Sequence, residues 1–149
     1  MAVSLFRPTY AVVAVALALV PTAGRANQDL IDYRNAVMES IGGHTKALVA
    51  IVKGNVPFTE DAAVHARAIE PLSQMAGHIF PPDSRTGKTD ALPAIWKQPD
   101  KFKQALTAFQ TAAAALAKAA DGEPRALAAP VGDLAKACKG CHDDFRKKD

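Results

Sequence analysis

Leu127-Ala128-Ala129-Pro130-Val131-Gly132-Asp133-Leu134-Ala135-Lys136-Ala137-Cys138-Lys139-Gly140-Cys141-His142-Asp143-Asp144-Phe145 is the stretch that decides how the chain is organised. Its positions Leu127, Val131, Leu134, Cys138, Cys141/His142 and Phe145 recur at steps of three and four, which aligns them on one helix face. The expectation is that both cysteines and His142 turn inward with that stripe. Pro124, just upstream, suits a first helical turn, and Pro130 is expected to bend a helix running from about Glu123 to Lys147.

Cys138-Lys139-Gly140-Cys141-His142 is a C-x-x-C-H pentapeptide containing the only two cysteines of the chain. That pattern reads as attachment of a c-type haem: the thiols become thioethers to the porphyrin, and the adjacent imidazole binds iron from one face. A thioredoxin-like dithiol would need a strand-to-helix context, and no alternating strand is visible. A structural zinc site wants a second pair of Cys/His ligands, which the sequence lacks. A lone disulfide would leave His142 as coincidence.

Upstream, the first 26 residues do not read as fold. Arg7 supplies a positive start, Ala11–Val20 an apolar core, Pro21 a break, and Gly24-Arg25-Ala26 the small residues of a cleavage site. The apolar run is shorter than the roughly 20 residues of a spanning helix, so residues 1–26 are expected to be a cleaved signal peptide and 27–149 one domain, with an uncleaved anchor as the alternative. Removing Arg7 and Arg25 from the 18 basic residues leaves 16 against 15 acids, a formal +1 instead of +3. No basic patch interleaves with aromatics, so nucleic acid is not an expected partner, and neither is stable membrane insertion. Export places the chain in the periplasm, where haem c is attached.

Hydrophobic residues make up 49% but aromatics only 6%, a balance that favours close-packed helices over a sandwich. A first helix is expected from about Asp29 to Lys53, with Leu30, Tyr33, Val37, Met38, Ile41, Leu48, Val49 and Val52 on its stripe and Gly54 at its end. Gly42-Gly43 inside it costs roughly 1 kcal/mol per glycine relative to alanine, and suggests a kink or the close approach of a backbone or ligand. A second helix, capped by Thr59, runs to Phe80 and is kinked or split at Pro71. Residues 81–98 form a loop whose Leu92, Ile95 and Trp96 cap the core. A third helix, from Asp100 to Ala120, carries Phe102, Leu106, Phe109 and Leu116. The fold class is therefore all-α: an antiparallel four-helix bundle enclosing its covalent haem.

The second axial position has five candidates: Met38, Met75, His44, His65 and His78. A methionine on an inward stripe is commonly plain core, and the histidines lie in ordinary helical context. The whole pattern resembles the cytochrome c-prime family, including its low-spin relatives of the cytochrome c-556 type. Tyr33-Arg34-Asn35-Ala36-Val37-Met38 with Ile41-Gly42-Gly43, Phe80-Pro81, Leu92-Pro93-Ala94-Ile95-Trp96, Phe102-Lys103 and Cys138 to Arg146 carry the likeness. It implies thioethers at Cys138 and Cys141, a proximal bond from His142, and Met38 at the distal position. There a methionine binds iron in low-spin members, and an apolar side chain stands off in high-spin ones. The Gly42-Gly43 context leans to the low-spin group.

The resemblance further implies Arg34 near the haem edge, able to pair with a propionate, and Arg146 on the proximal side. The competing readings are a solvated helix face for Arg34 and a favourable helix-end charge for Arg146. It also implies a non-enzymatic electron carrier with one haem c per chain, His142 and Met38 on its iron, periplasmic redox partners and a homodimer. The alternative is a five-coordinate protein that takes up nitric oxide or carbon monoxide. No distal His/Arg pair on one helix face supports a peroxidase.

Overall fold

Helix α1 spans Ala23–Val52, six residues earlier than its apolar pattern predicts. The chain is described by a computed structural model covering residues 23–148, so the apolar run Ala11–Val20 lies outside the described residues. Along α1 the buried positions are Ile31, Arg34, Val37, Ile41, Leu48 and Ile51. Leu30 and Tyr33, expected inside, are 38% and 51% exposed. Apolar residues at both 30 and 31 left two adjacent faces equally plausible by periodicity, and packing selects the face that carries a charged residue.

The end of α1 matches expectation and shows its cause. Gly54 adopts φ +72, which L side chains resist. Its N–H donates to Ile51 O at 2.9 Å and that of Asn55 to Ala50 O at 2.9 Å. This paired closure satisfies two of the helix's last carbonyls. At Gly42 and Gly43 the close approach of another backbone, one of the alternatives expected, is not found among the described residues. The helix runs through them, and a Cβ built on either would meet nothing within 4 Å, so no neighbouring backbone approaches them.

Thr59 does not cap a helix; it opens a 3₁₀ turn, Thr59–Asp61, that leads into α2, Ala62–Met75. Pro71 lies inside α2 without ending it. It is solvent-exposed, where water can serve the carbonyl that a mid-helix proline leaves unpaired. The helix stops at Met75 rather than Phe80, and turns bonded through Gly77 and His78 follow.

The stretch 81–98 contains a 3₁₀ turn, Pro82–Arg85, and a one-turn helix α3, Ala94–Lys97. As expected it caps the core: Ile95 is buried, Trp96 packs beside it, and the Trp96 indole donates to Phe80 O at 3.0 Å. Helix α4 spans Pro99–Ala119, burying Phe102, Phe109, Ala113 and Leu116. A 3₁₀ turn at Pro124–Leu127 precedes α5, Ala128–Phe145. Pro130 sits in the first turn of α5, where its missing N–H has no intrahelical partner to lose, so it makes no bend.

Cross-helix contacts fix the topology. His44 meets His65 and Arg34 meets Ile79, so α1 and α2 run antiparallel. Arg67 pairs with Asp121 and Gln110 with Ser73, setting α4 against α2. Lys101 pairs with Asp144 and Phe102 with Phe145, setting α5 against α4. α1 also packs on α5, which completes an antiparallel four-helix bundle. One core cluster, including Ile41, Leu48, Ile69, Leu116, Leu127 and Leu134, fills the bundle; a smaller one of Ile95, Phe102 and Phe145 lies at the end where α5 finishes.

Because Gly43 is exposed within a regular helix and has open space beside it, Gly43→Ala should stabilise the haem-loaded protein by about 0.5–1 kcal/mol. The guanidinium unfolding midpoint measures this; an unchanged or lower midpoint would mean that something does approach this helix surface.

Candidate haem-binding site

Helix geometry decides what the C-x-x-C-H segment presents. At about 100° per residue, Cys141 and His142 leave α5 on opposite flanks of the stripe centred on Leu134, Cys138 and Phe145. Cys138 is half-buried against the bundle core, and Cys141 is half-buried against Ile95, Phe102 and Phe145. His142 is exposed. The expectation that all three turn inward therefore holds for the two cysteines and needs correction for His142, which stands at the rim of the buried face.

The surroundings of the thiols are apolar and aromatic. Phe102 packs edge-on against both Phe80 and Phe145, with centroids 5.0 and 5.1 Å apart, the arrangement favoured by ring quadrupoles. A groove of about 610 Å³ lies against these rings, walled by Phe80, Ile95, Trp96, Phe102 and Leu106, and neither cysteine, His142 nor Met38 lines it. Burial raises the Cys138 thiol pKa. That of Cys141 is pushed up to about 11 by burial first, and then by Cys138 and Asp144. Both therefore stay protonated near neutral pH. For His142, exposed at the rim yet partly desolvated by the protein packed around its ring, that desolvation and then the charge of Arg146 lower the pKa, opposed by Asp143, which favours the neutral imidazole that a metal needs. Lys139 holds Asp143 and Lys101 holds Asp144 on the outer face.

These residues fit a covalently held porphyrin. Two adjacent-turn thiols can add S–H across two vinyl groups without net oxidation, the neighbouring imidazole offers a lone pair, and aromatic rings supply an apolar wall. The bound haem would contribute a redox-active iron.

Met38 lies half-buried on α1 and packs on the same core cluster as Cys138. Among the other candidate ligands, Met75 also packs on that cluster, His78 is exposed, and His44 and His65 face each other between α1 and α2.

Arg34 is not on a solvated face. It is 2% exposed, and burial lowers its pKa from the ordinary value. Nη1 donates to Ser84 Oγ at 2.6 Å and to Ile79 O at 3.5 Å; Nη2 donates to Thr89 Oγ1 at 2.8 Å and Ser84 O at 3.3 Å. Its guanidinium also lies 4.9 Å from the centre of the Phe80 ring, within cation–π range. The side chain expected at the haem edge thus fastens the 79–89 segment to α1. Ser84 and Thr89 were missed by sequence reading, because nothing local in the sequence links a loop serine to an arginine 50 residues earlier. A buried arginine, once seen, demands such acceptors.

Arg146 does not continue the helix. It is extended at φ −120, ψ 143, although its N–H still bonds His142 O at 3.1 Å. It forms an antiparallel bridge with Ala91, flanked by Leu92 N–H to Phe145 O at 2.9 Å and Lys147 N–H to Asp90 O at 2.8 Å. The basic tail is therefore clipped to the loop as well as lying near the helix end.

Replacing Arg34 by methionine keeps bulk and removes the donors. It should destabilise the protein by about 1–3 kcal/mol, since Ile79 O and Ser84 O lose a charged donor, and amide exchange at Ser84 and Leu92 should quicken. Unchanged stability and exchange would show that the loop is held by other means.

The site can be set beside known proteins. A family model described as Cytochrome C' matches residues 29–146. Cytochrome c' of Pararhodospirillum photometricum is 37% identical over 119 residues, covering 78% of this chain and 95% of that one. The crystal structure of cytochrome c' from Rubrivivax gelatinosus superposes with a TM-score of 0.76 at 33% identity, covering 81% of this chain and 97% of that one. A nitric oxide complex of a mutant of cytochrome c prime from Alcaligenes xylosoxidans does so with a TM-score of 0.75 at 33% identity, covering 82% and 97%. With its helical bundle and its C-terminal C-x-x-C-H segment, the chain belongs to the cytochrome c' family of haem c proteins.

Proposed function

We propose that the mature protein is a periplasmic electron carrier, exported by a cleaved signal peptide of residues 1–26, with Cys138 and Cys141 as the thioether residues and His142 and Met38 as axial ligands. The observation that carries this reading is the packing of Met38 on α1 and Cys138 on α5 against one core cluster. The family resemblance puts Met38, rather than Met75 on the same cluster, at the distal position, and a His/Met pair raises a haem's potential. Arg34 acts here as a positioning residue: it holds the 84–89 segment. Arg146 keeps positive charge beside His142. The apolar packing around Cys141 leaves less water to reorganise on that flank when an electron is transferred. No residue set in this reading performs substrate chemistry.

A second reading has its own support, the nitric oxide complex of a similar protein. In it Met38 stands off the iron, and nitric oxide or carbon monoxide enters on its side. The optical spectrum of the haem-loaded protein separates the two. The electron-carrier reading expects a six-coordinate low-spin spectrum indifferent to carbon monoxide, and Met38→Ala should turn it high-spin and carbon monoxide-reactive. A parent protein that is already high-spin and takes up carbon monoxide rapidly would exclude Met38 as a ligand.

We also propose a homodimer formed through α1 and α2, as the family resemblance implies. Leu30 and Tyr33 near the start of α1, and Phe58 and Val64 just before and near the start of α2, are 38%, 51%, 55% and 62% exposed, so both ends of the α1–α2 pair carry large apolar side chains that a second copy would cover. Val64→Glu should shift sedimentation from dimer to monomer while leaving the haem spectrum unchanged. A parent that already sediments as a monomer at micromolar concentration would end this idea.

A further inference from the structure

His44 on α1 and His65 on α2 are not used by the haem site. Their Nδ1 atoms are 2.9 Å apart, with ring centroids at 5.2 Å and planes inclined by 56°. At that distance only one of the two nitrogens can hold a hydrogen, so the pair already directs one lone pair into the gap between them. Two ligands about 2.0 Å from a metal are about 2.8 Å apart when they subtend a right angle and about 3.3 Å apart at a tetrahedral angle. The observed separation suits the right angle.

Both rings are half-buried. Their backbones are fixed by the α1–α2 packing, where Ile41, Leu48, Ala62, Ala66 and Ile69 are buried, while both histidines keep partial exposure to solvent. No cluster of three or more His, Cys, Asp or Glu suited to a metal occurs among the described residues, so water would fill the remaining positions.

We propose that His44 and His65 form a second metal site, a two-imidazole clasp between α1 and α2 for a divalent cation that prefers tetragonal geometry, such as Cu(II). Binding displaces the shared hydrogen from Nδ1 while the same ring takes a proton from water at Nε2, so both imidazoles stay neutral with no net proton release, and slight rotation of the two rings brings both Nδ1 lone pairs onto the cation. Because the ligands come from different helices, the cation stabilises the folded state that joins them.

The test uses the ferric, haem-loaded mature protein titrated with Cu(II). One equivalent should bind with an electron paramagnetic resonance signal split by two imidazole nitrogens, and should raise the thermal unfolding midpoint. His44→Gln and His65→Gln should each bind about tenfold or more weakly and lose the rise in midpoint, whereas His78→Gln should behave as the parent. Parent-like affinity and splitting in either of the first two variants would overturn the site. If a variant fails to retain haem, the parent itself decides: Cu(II) should protect His44 and His65, but not His78, from diethylpyrocarbonate. Equal modification with and without Cu(II) would overturn the proposal too.

Discussion

A helix turns by about 100° per residue, and that rotation constrains everything α5 does. The same short segment closes the bundle core through Val131, Leu134 and Phe145, and carries the two thiols and the imidazole of the C-x-x-C-H pentapeptide. Cys138 shares the centre of the buried stripe, so it packs on the main core. Cys141 falls to the flank covered by Phe102 and Ile95, while His142 falls to the opposite flank and remains at the rim. The helix thus divides the residues of its C-x-x-C-H segment between an apolar seat and an accessible edge without being broken.

The end of α5 is held from outside the bundle. Backbone bonds join Leu92 to Phe145 and Lys147 to Asp90, and the Lys147 amine donates to Thr89 O at 2.6 Å. The same loop is gripped earlier by Arg34 through Ser84 and Thr89, and Trp96 returns to Phe80. The segment 80–98, which has no long helix, consequently links α1 to the haem-bearing end of α5. Most of its anchors are hydrogen bonds to backbone carbonyls and hydroxyls. These specify position through direction and distance, which apolar packing alone does less sharply.

The four long helices, the bundle class and the haem-binding motif were legible because each rests on local periodicity or on residue chemistry at fixed spacing. Phe102, Phe109 and Leu116 lie inward on α4 as the three- and four-residue steps require. What local pattern could not convey were choices between near-equal alternatives and partnerships distant in sequence. Thr59 has capping chemistry, yet the chain tightens into a 3₁₀ turn there. Pro71 has helix-breaking chemistry, yet its exposed position lets α2 continue through it. Gly42-Gly43 suggested, among other things, the close approach of a backbone, but no other described element comes within 4 Å of a Cβ built on either. The inward turn of His142 was inferred from a stripe too coarse to separate the two flanks of a helix.

Arg34 shows how one such partnership propagates to the site. Along α1 the face bearing Leu30 and Tyr33 and the face bearing Ile31 and Arg34 compete for burial, and apolar area alone favours the former. Turning Tyr33 inward would rotate Arg34 away from the carbonyls and hydroxyls it serves and leave Ser84, which is fully buried, without its charged donor. A buried acceptor stripped of its donor costs about 1–3 kcal/mol, and several would be stripped together. The guanidinium network therefore fixes the axial rotation of α1. Met38 lies one helical turn beyond Arg34, so the same rotation sets where its thioether can reach. Hydrogen bonds between a loop and a helix thereby determine the position of the residue on which the axial-ligand question turns.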